Sequence, residues 1–244
     1  MRRHHNHLST AALCAGIAAA ACNAAGAATT AYGPTPYLSS ADSPFIAVSF
    51  DVFQLEDFED GALNATGVSA THGGSVIGPQ PQADSVDADD GVLDGSGAAG
   101  RSFYSGAVTT VLGFSFDESV LGTLPTHVGL VWTDVGFLID SSPGGFGDVV
   151  FQAFDATDQL VISIDGTQLG DGSTFGGTAE DRFFGAQHDA GILRITLTMP
   201  NSVDFEVDHL QYGVVSPVPL PGGLILMTPL AAWLARRGRQ RGKA

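Results

Sequence analysis

Cysteine is nearly missing from this chain. Of 244 residues only Cys14 and Cys22 carry a thiol, and both lie in the first 27 positions. If that stretch is removed, neither a disulfide nor a thiolate nucleophile remains. Positive charge is almost as scarce in the middle. Arg101, Arg182 and Arg194 stand there against all 26 acidic residues, and the one lysine is Lys243. Such a domain repels nucleic acid and anionic lipid through its long-range field and attracts cations. Long amphipathic helical patterns are absent too, which excludes a helical bundle. What is present is 32 glycines, 15 phenylalanines and frequent valine and threonine. That is the composition of a β protein, and the roughly 190 residues between the two ends suffice for one core.

Both ends read as processing segments. Met1-Arg2-Arg3-His4-His5 is basic, residues 11–21 are apolar and alanine-rich, and Ala25-Gly26-Ala27 offers small residues at signal-peptidase spacing. Together they predict a secretory signal peptide over 1–27. Lipoprotein processing at Cys22 is the weaker alternative, because Ala19-Ala20-Ala21 lacks the large aliphatic residue expected before a lipidated cysteine. At the other end, Val218-Pro219-Leu220-Pro221 precedes an apolar run over 224–235 and a basic cluster from Arg236 and Arg237 to Lys243. The run is short for a ~30 Å hydrocarbon core and is broken by Pro229. The arginines would stay cytoplasmic. A stalk, a marginal span and a basic stop describe a transient anchor, over 215–244.

This tail resembles the PEP-CTERM sorting signal, in its Val-Pro-Leu-Pro variant. The resemblance implies that Val218, Pro219, Leu220, Pro221, Arg236 and Arg237 form a sorting motif, read by an exosortase-type membrane protease. It further implies export in a Gram-negative bacterium that makes exopolysaccharide, and delivery to the envelope or extracellular matrix. Membrane contact would be transient, through the tail alone.

Between the ends, short Phe/Val/Ile-rich segments alternate with Gly/Asp/Ser/Thr turns, which predicts an all-β sandwich over 45–214. Strands are expected at 46–53, 108–116, 127–133, 149–154, 160–164, 182–186, 192–198 and 205–212. Asp155-Ala156-Thr157-Asp158 reads as a hairpin loop. Residues 28–44, rich in Ala, Thr, Pro and Ser, read as a flexible lead-in. Trp132 is expected in the core, and Arg182 is expected to pair with a carboxylate near a strand start. Tyr104 and Phe146 sit in Gly/Ser-rich stretches expected to be loops able to touch a ligand.

Phrases such as Glu56-Asp57-Phe58-Glu59-Asp60-Gly61 and Glu206-Val207-Asp208-His209-Leu210 are similar to those of other PEP-CTERM-tailed β domains. A more distant similarity is to jelly-roll carbohydrate-binding modules, where an early acidic segment and an aspartate of the last strand share a structural calcium. It implies a jelly-roll-like sandwich, with Glu56, Asp57 and Asp208 in comparable places. Asp87, Asp89 and Asp90 add carboxylates in a Gly-rich stretch of the kind a hard cation takes. They do not form an EF-hand, since Gly91 comes one residue early and no glutamate closes the frame.

Signs of catalysis are few. No Gly-x-Ser-x-Gly elbow occurs, and His72, His127, His188 and His209 show no zinc spacing. Asp208 and His209 are adjacent, and on a regular strand they would point to opposite faces. The expectation is therefore a non-enzymatic protein that binds extracellular polysaccharide and uses calcium structurally. A purely structural matrix component is the alternative, and an enzyme acting on extracellular polysaccharide is the third reading.

Overall fold

The computed structural model describes residues 27–88, 100–138, 147–173 and 179–216. The expected signal peptide up to residue 26, Asp89, Asp90, Phe146 and the expected sorting tail from Val218 to Arg237 lie outside the described residues. The strands are β1 (Thr29–Pro36), β2 (Val52–Glu56), β3 (Val68–Ala70), β4 (Ser75–Ile77), β5 (Ser102–Tyr104), β6 (Val111–Phe116) and β7 (His127–Asp134). They continue with β8 (Phe137–Leu138), β9 (Val149–Asp155), β10 (Leu160–Gly166), β11 (Arg182–His188), β12 (Ile192–Thr198), β13 (Ser202–Val203) and β14 (Glu206–Val214). Among the described residues no helix is long and apolar enough to cross a membrane.

Two antiparallel sheets make an all-β sandwich. The first runs β1-β11-β7-β14-β5-β4, with β2 also paired to β14; the second runs β10-β9-β12-β6-β3. Their inner faces meet in one core. The second sheet contributes Leu112, Phe114, Phe151, Ile195 and Leu197, and the first contributes Leu130, Trp132, Phe184, Val207, Leu210 and Tyr212. Trp132 is fully buried there, as expected.

The first sheet is covered on its outer face as well, so β7 is buried at every residue. Tyr37, Phe45 and Val86 pack against Val131 and Phe183 and form a second, smaller cluster. This corrects the lead-in reading of 28–44. Residues 29–36 are an edge strand paired with β11, and Tyr37 behind it is fully buried. Its prolines mislead because an edge strand tolerates them. Gly33, at φ +89, lies where the register of β1 shifts, and a Cβ there would overlap the Phe183 carbonyl oxygen.

The strand pattern holds for β7, β9, β10, β11 and β12. It starts too early at 46 and at 108. Ile46 and Val48 donate turn hydrogen bonds to Ser43 and Phe45, and pairing begins only at Val52. Val108, at φ 57, is held by the Asp204 carboxylate 2.8 Å from its amide, and β6 begins at Val111. The hairpin at 155–158 is present, because Asp155 Oδ1 accepts the amides of Thr157 at 2.8 Å and Gln159 at 3.0 Å. Tyr104 is not in a loop but ends strand β5. Arg182 donates to the main-chain carbonyls of Ala179, Glu180 and Asp181, each at 3.1 Å, and the charges of Asp181 and Glu180 favour its cation against burial.

Candidate functional site

The site is built on β14, at the centre of the first sheet. Val207, Leu210 and Tyr212 enter the core, and this leaves Glu206, Asp208 and Gln211 for the outer face. There the segment 84–87 crosses the strand. The Asp84 amide donates to Glu206 Oε2 and the Val86 amide to Asp208 Oδ2, both at 3.0 Å. Two carboxylates two residues apart thus hold two amides two residues apart, a side-chain version of strand pairing. Ser102 Oγ also donates to Glu206.

A bulge interrupts β14. The pairing register with β7 slips between Asp208 and Gln211, and His209 takes φ 43, outside the extended region. The slip brings Asp208 and His209 to the same side of the sheet, which overturns the expectation from strand alternation. His209 Nε2 lies 3.0 Å from Asp87 Oδ2, and Nδ1 lies 3.0 Å from the Tyr37 hydroxyl. Gln211 Nε2 donates to that hydroxyl at 2.8 Å, and Ser43 Oγ donates to Gln211 Oε1 at 2.5 Å. With the ring neutral the directions follow. Tyr37 already accepts from Gln211, so it donates to Nδ1, and Nε2–H donates to Asp87. The result is a polar chain from buried Ser43 to half-exposed Asp87.

Charge at this bulge is tightly constrained. Burial pushes the fully buried Asp208 carboxyl up to about 8, against the pull of the neighbouring His209. For His209 burial disfavours the cation, but the Asp87 hydrogen bond and the charges of Asp208, Asp87 and Asp57 outweigh it and raise the pKa. Burial also raises the Tyr37 phenol far above its ordinary range.

A second group of acids sits one step along the strand. Asp134 is the cross-strand partner of Glu206. Burial first, then the charges of Glu206, Asp84 and Glu180, push the Asp134 carboxyl up to about 9. Burial raises Glu206 to about 7. These two line a cleft of about 220 Å³ with Tyr104, Phe137, Asp204 and Gln80. Phe137 is 59% exposed at the cleft. Burial and the adjacent Asp204 push the Tyr104 phenol to about 12. Burial thus favours the neutral form of both carboxyls, and two aromatic side chains stand beside them.

The residues singled out in the sequence divide as follows. Asp87 and Asp208 come together, with His209 as third member, and one donor atom from each lies within 4.8 Å of the others. Asp57 is exposed, and its charge reaches His209. Glu56 pairs with Leu210 in register and so shares the inner side of the sheet with it. Its carboxylate accepts the amides of Phe58 at 3.1 Å, Asn64 at 2.9 Å and Ala65 at 2.7 Å, closing its own loop. Sequence reasoning set His209 aside on strand alternation and missed Tyr37, Asp134 and Gln211. The one available clue was Glu206-Val207-Asp208, whose alternation in the last strand puts two carboxylates on one face. Comparison with protein-family models, with curated proteins and with solved structures finds no match to the chain.

Proposed function

We propose that this is an exported protein, sorted to the cell envelope or extracellular matrix, whose sandwich binds polysaccharide without turning it over. The cleft between β5, β7 and β14 carries this reading. Sugar recognition needs flat apolar faces for the ring and paired donors and acceptors for the hydroxyls. Tyr104 and Phe137 supply the former. Asp134, Glu206, Asp204 and Gln80 supply the latter.

Export rests on the two ends of the sequence. The first strand begins at Thr29, two residues beyond the cleavage expected after Ala27, and the last ends at Val214, just before the proline-rich stalk. Both agree with a domain trimmed at each side by a signal peptidase and by an exosortase-type membrane protease acting at Val218-Pro219-Leu220-Pro221. In this reading the fold is jelly-roll-like and the tail touches the membrane only in transit. A structural calcium belongs to the same proposal, and the approach of Asp87 to Asp208 supports a cation there.

A second reading, cleavage of polysaccharide, draws on Asp134 and Glu206, cross-strand partners whose carboxyl pKa values burial raises. A glycan array probed with the purified protein tests the proposal. Binding to a defined set of polysaccharides, lost in Tyr104→Ala, is the expected outcome. No signal on any glycan would leave a purely structural matrix component, and release of new reducing ends from a bound polysaccharide would make the protein an enzyme.

A further inference from the structure

We infer that Asp87, Asp208 and His209 form a binding site for a divalent metal of the zinc class, with Tyr37 orienting the imidazole. The inference rests on the reading above that a cation sits between Asp87 and Asp208, and it puts a metal of the zinc class there in place of calcium. Three observations carry it. The donor atoms already converge, one from each residue within 4.8 Å of the others. His209 Nε2 and Asp87 Oδ2 are 3.0 Å apart. Two donors about 2.0–2.1 Å from a tetrahedral zinc stand ~3.3 Å from each other, so the pair needs almost no movement.

The second observation is the bulge. Without the slip in β14, His209 would not share a side with Asp208. A buried histidine at φ 43 is strained for a non-glycine residue, and what the strain achieves is this convergence. The third is the outer shell. Metal-bound histidines have their second ring nitrogen held by a fixed partner, which sets ring orientation. Here the Tyr37 hydroxyl is 3.0 Å from Nδ1, and it is fixed in turn by Gln211 and Ser43. When Nε2 takes a metal, the ring proton moves to Nδ1 and the Tyr37 oxygen accepts it. Tyr37 then donates to the Gln211 carboxamide oxygen, and the carboxamide turns over toward Ser43.

The donor set chooses the metal. Calcium takes six to eight oxygens and gains nothing from an imidazole, whereas nitrogen with carboxylate oxygen suits zinc and its neighbours. Two carboxylates and a neutral imidazole balance a dication. The Asp87 side chain is 43% exposed while Asp208 and His209 are buried, so a fourth position opens toward solvent. Three protein ligands and one open position describe a site able to hold water or a ligand hydroxyl.

The test is thermal unfolding of the metal-stripped protein with zinc, with calcium and with neither, for wild type, His209→Gln, Asp87→Asn and Tyr37→Phe. Zinc is expected to raise the wild-type midpoint by several degrees where equal calcium does not. Tyr37→Phe should weaken zinc by about 10-fold or more. His209→Gln should abolish the shift; if that variant fails to fold, Asp87→Asn on the exposed side reads the same loss. Cobalt(II) should give a visible absorption band that the same substitutions remove. A calcium shift without a zinc shift overturns the inference and leaves the calcium reading. No shift with either metal overturns both. A zinc shift that survives both His209→Gln and Asp87→Asn places the metal elsewhere and also overturns it.

Discussion

Asp134 is buried, the charges of Glu206 from β14, Asp84 from the crossing segment and Glu180 ahead of β11 act on it, and the Gly136 amide donates to it at 3.4 Å. Its carboxyl is raised from the ordinary 3.8 to about 9, so the fold prefers it protonated. The contribution to stability is complete below the unfolded value and is lost progressively as pH rises through about 9, because the unfolded chain gives up that proton more readily. Asp134→Asn keeps the shape without the charge. Its melting midpoint relative to wild type should therefore rise steadily between pH 4 and pH 9, and an offset independent of pH would refute the assignment. Glu180 is treated differently. Its Oε1 accepts the amides of Asp171 at 2.9 Å and Gly172 at 3.1 Å. Gly170, at φ +86, allows this wrap, since a Cβ there would overlap the carboxylate. Gly170→Ala should cost about 1–3 kcal/mol in denaturant unfolding, for the strained φ alone. Almost none of this was legible in the sequence. Asp134 ends an apolar strand, and nothing local distinguishes it from a turn-forming aspartate; the charges that act on it come from Asp84, Glu180 and Glu206, all far from it in the chain.

At the scale of elements, legibility tracked periodicity. Strands β7, β9, β10, β11 and β12 announced themselves through β-branched and aromatic runs between turns. β3, β4, β5, β8 and β13 have three residues or fewer, too short for a pattern to form. β1 hid behind its prolines. The bulge in β14 was invisible as well, because period-two reasoning assumes a regular strand, and a one-residue slip reverses every later assignment. The segment that follows β1 is an integral part of the fold. The Tyr37 ring stacks on Phe183 with centroids 5.9 Å apart and meets His209 edge-on at 5.5 Å. Tyr37→Ala should cost about 3–5 kcal/mol, the usual range for emptying a buried aromatic site. A loss below about 1 kcal/mol in the same chemical denaturation would mean that the segment only rests on the sheet.

At the scale of the whole molecule, the proposal of export rests on the distribution of charge and on the two ends. The sandwich holds all 26 acidic residues and three basic ones, while the remaining basic residues cluster at the two ends. An excess of negative charge of this size sets up a field that opposes approach to anionic surfaces. The basic ends are where a signal peptide and a positive-inside stop need them. Deleting residues 218–244 should release the protein into the medium. If the shortened chain stays with the envelope to the same extent, the tail is not what retains the protein. The most direct measurement is the intact mass, with both terminal peptides, of the protein recovered from the cell surface or matrix. The expected species begins at Ala28 and lacks the basic cluster from Arg236 onward. Recovery of the unprocessed 25.1 kDa chain, or of a chain still carrying Arg236 to Lys243, would contradict export and sorting by these two ends.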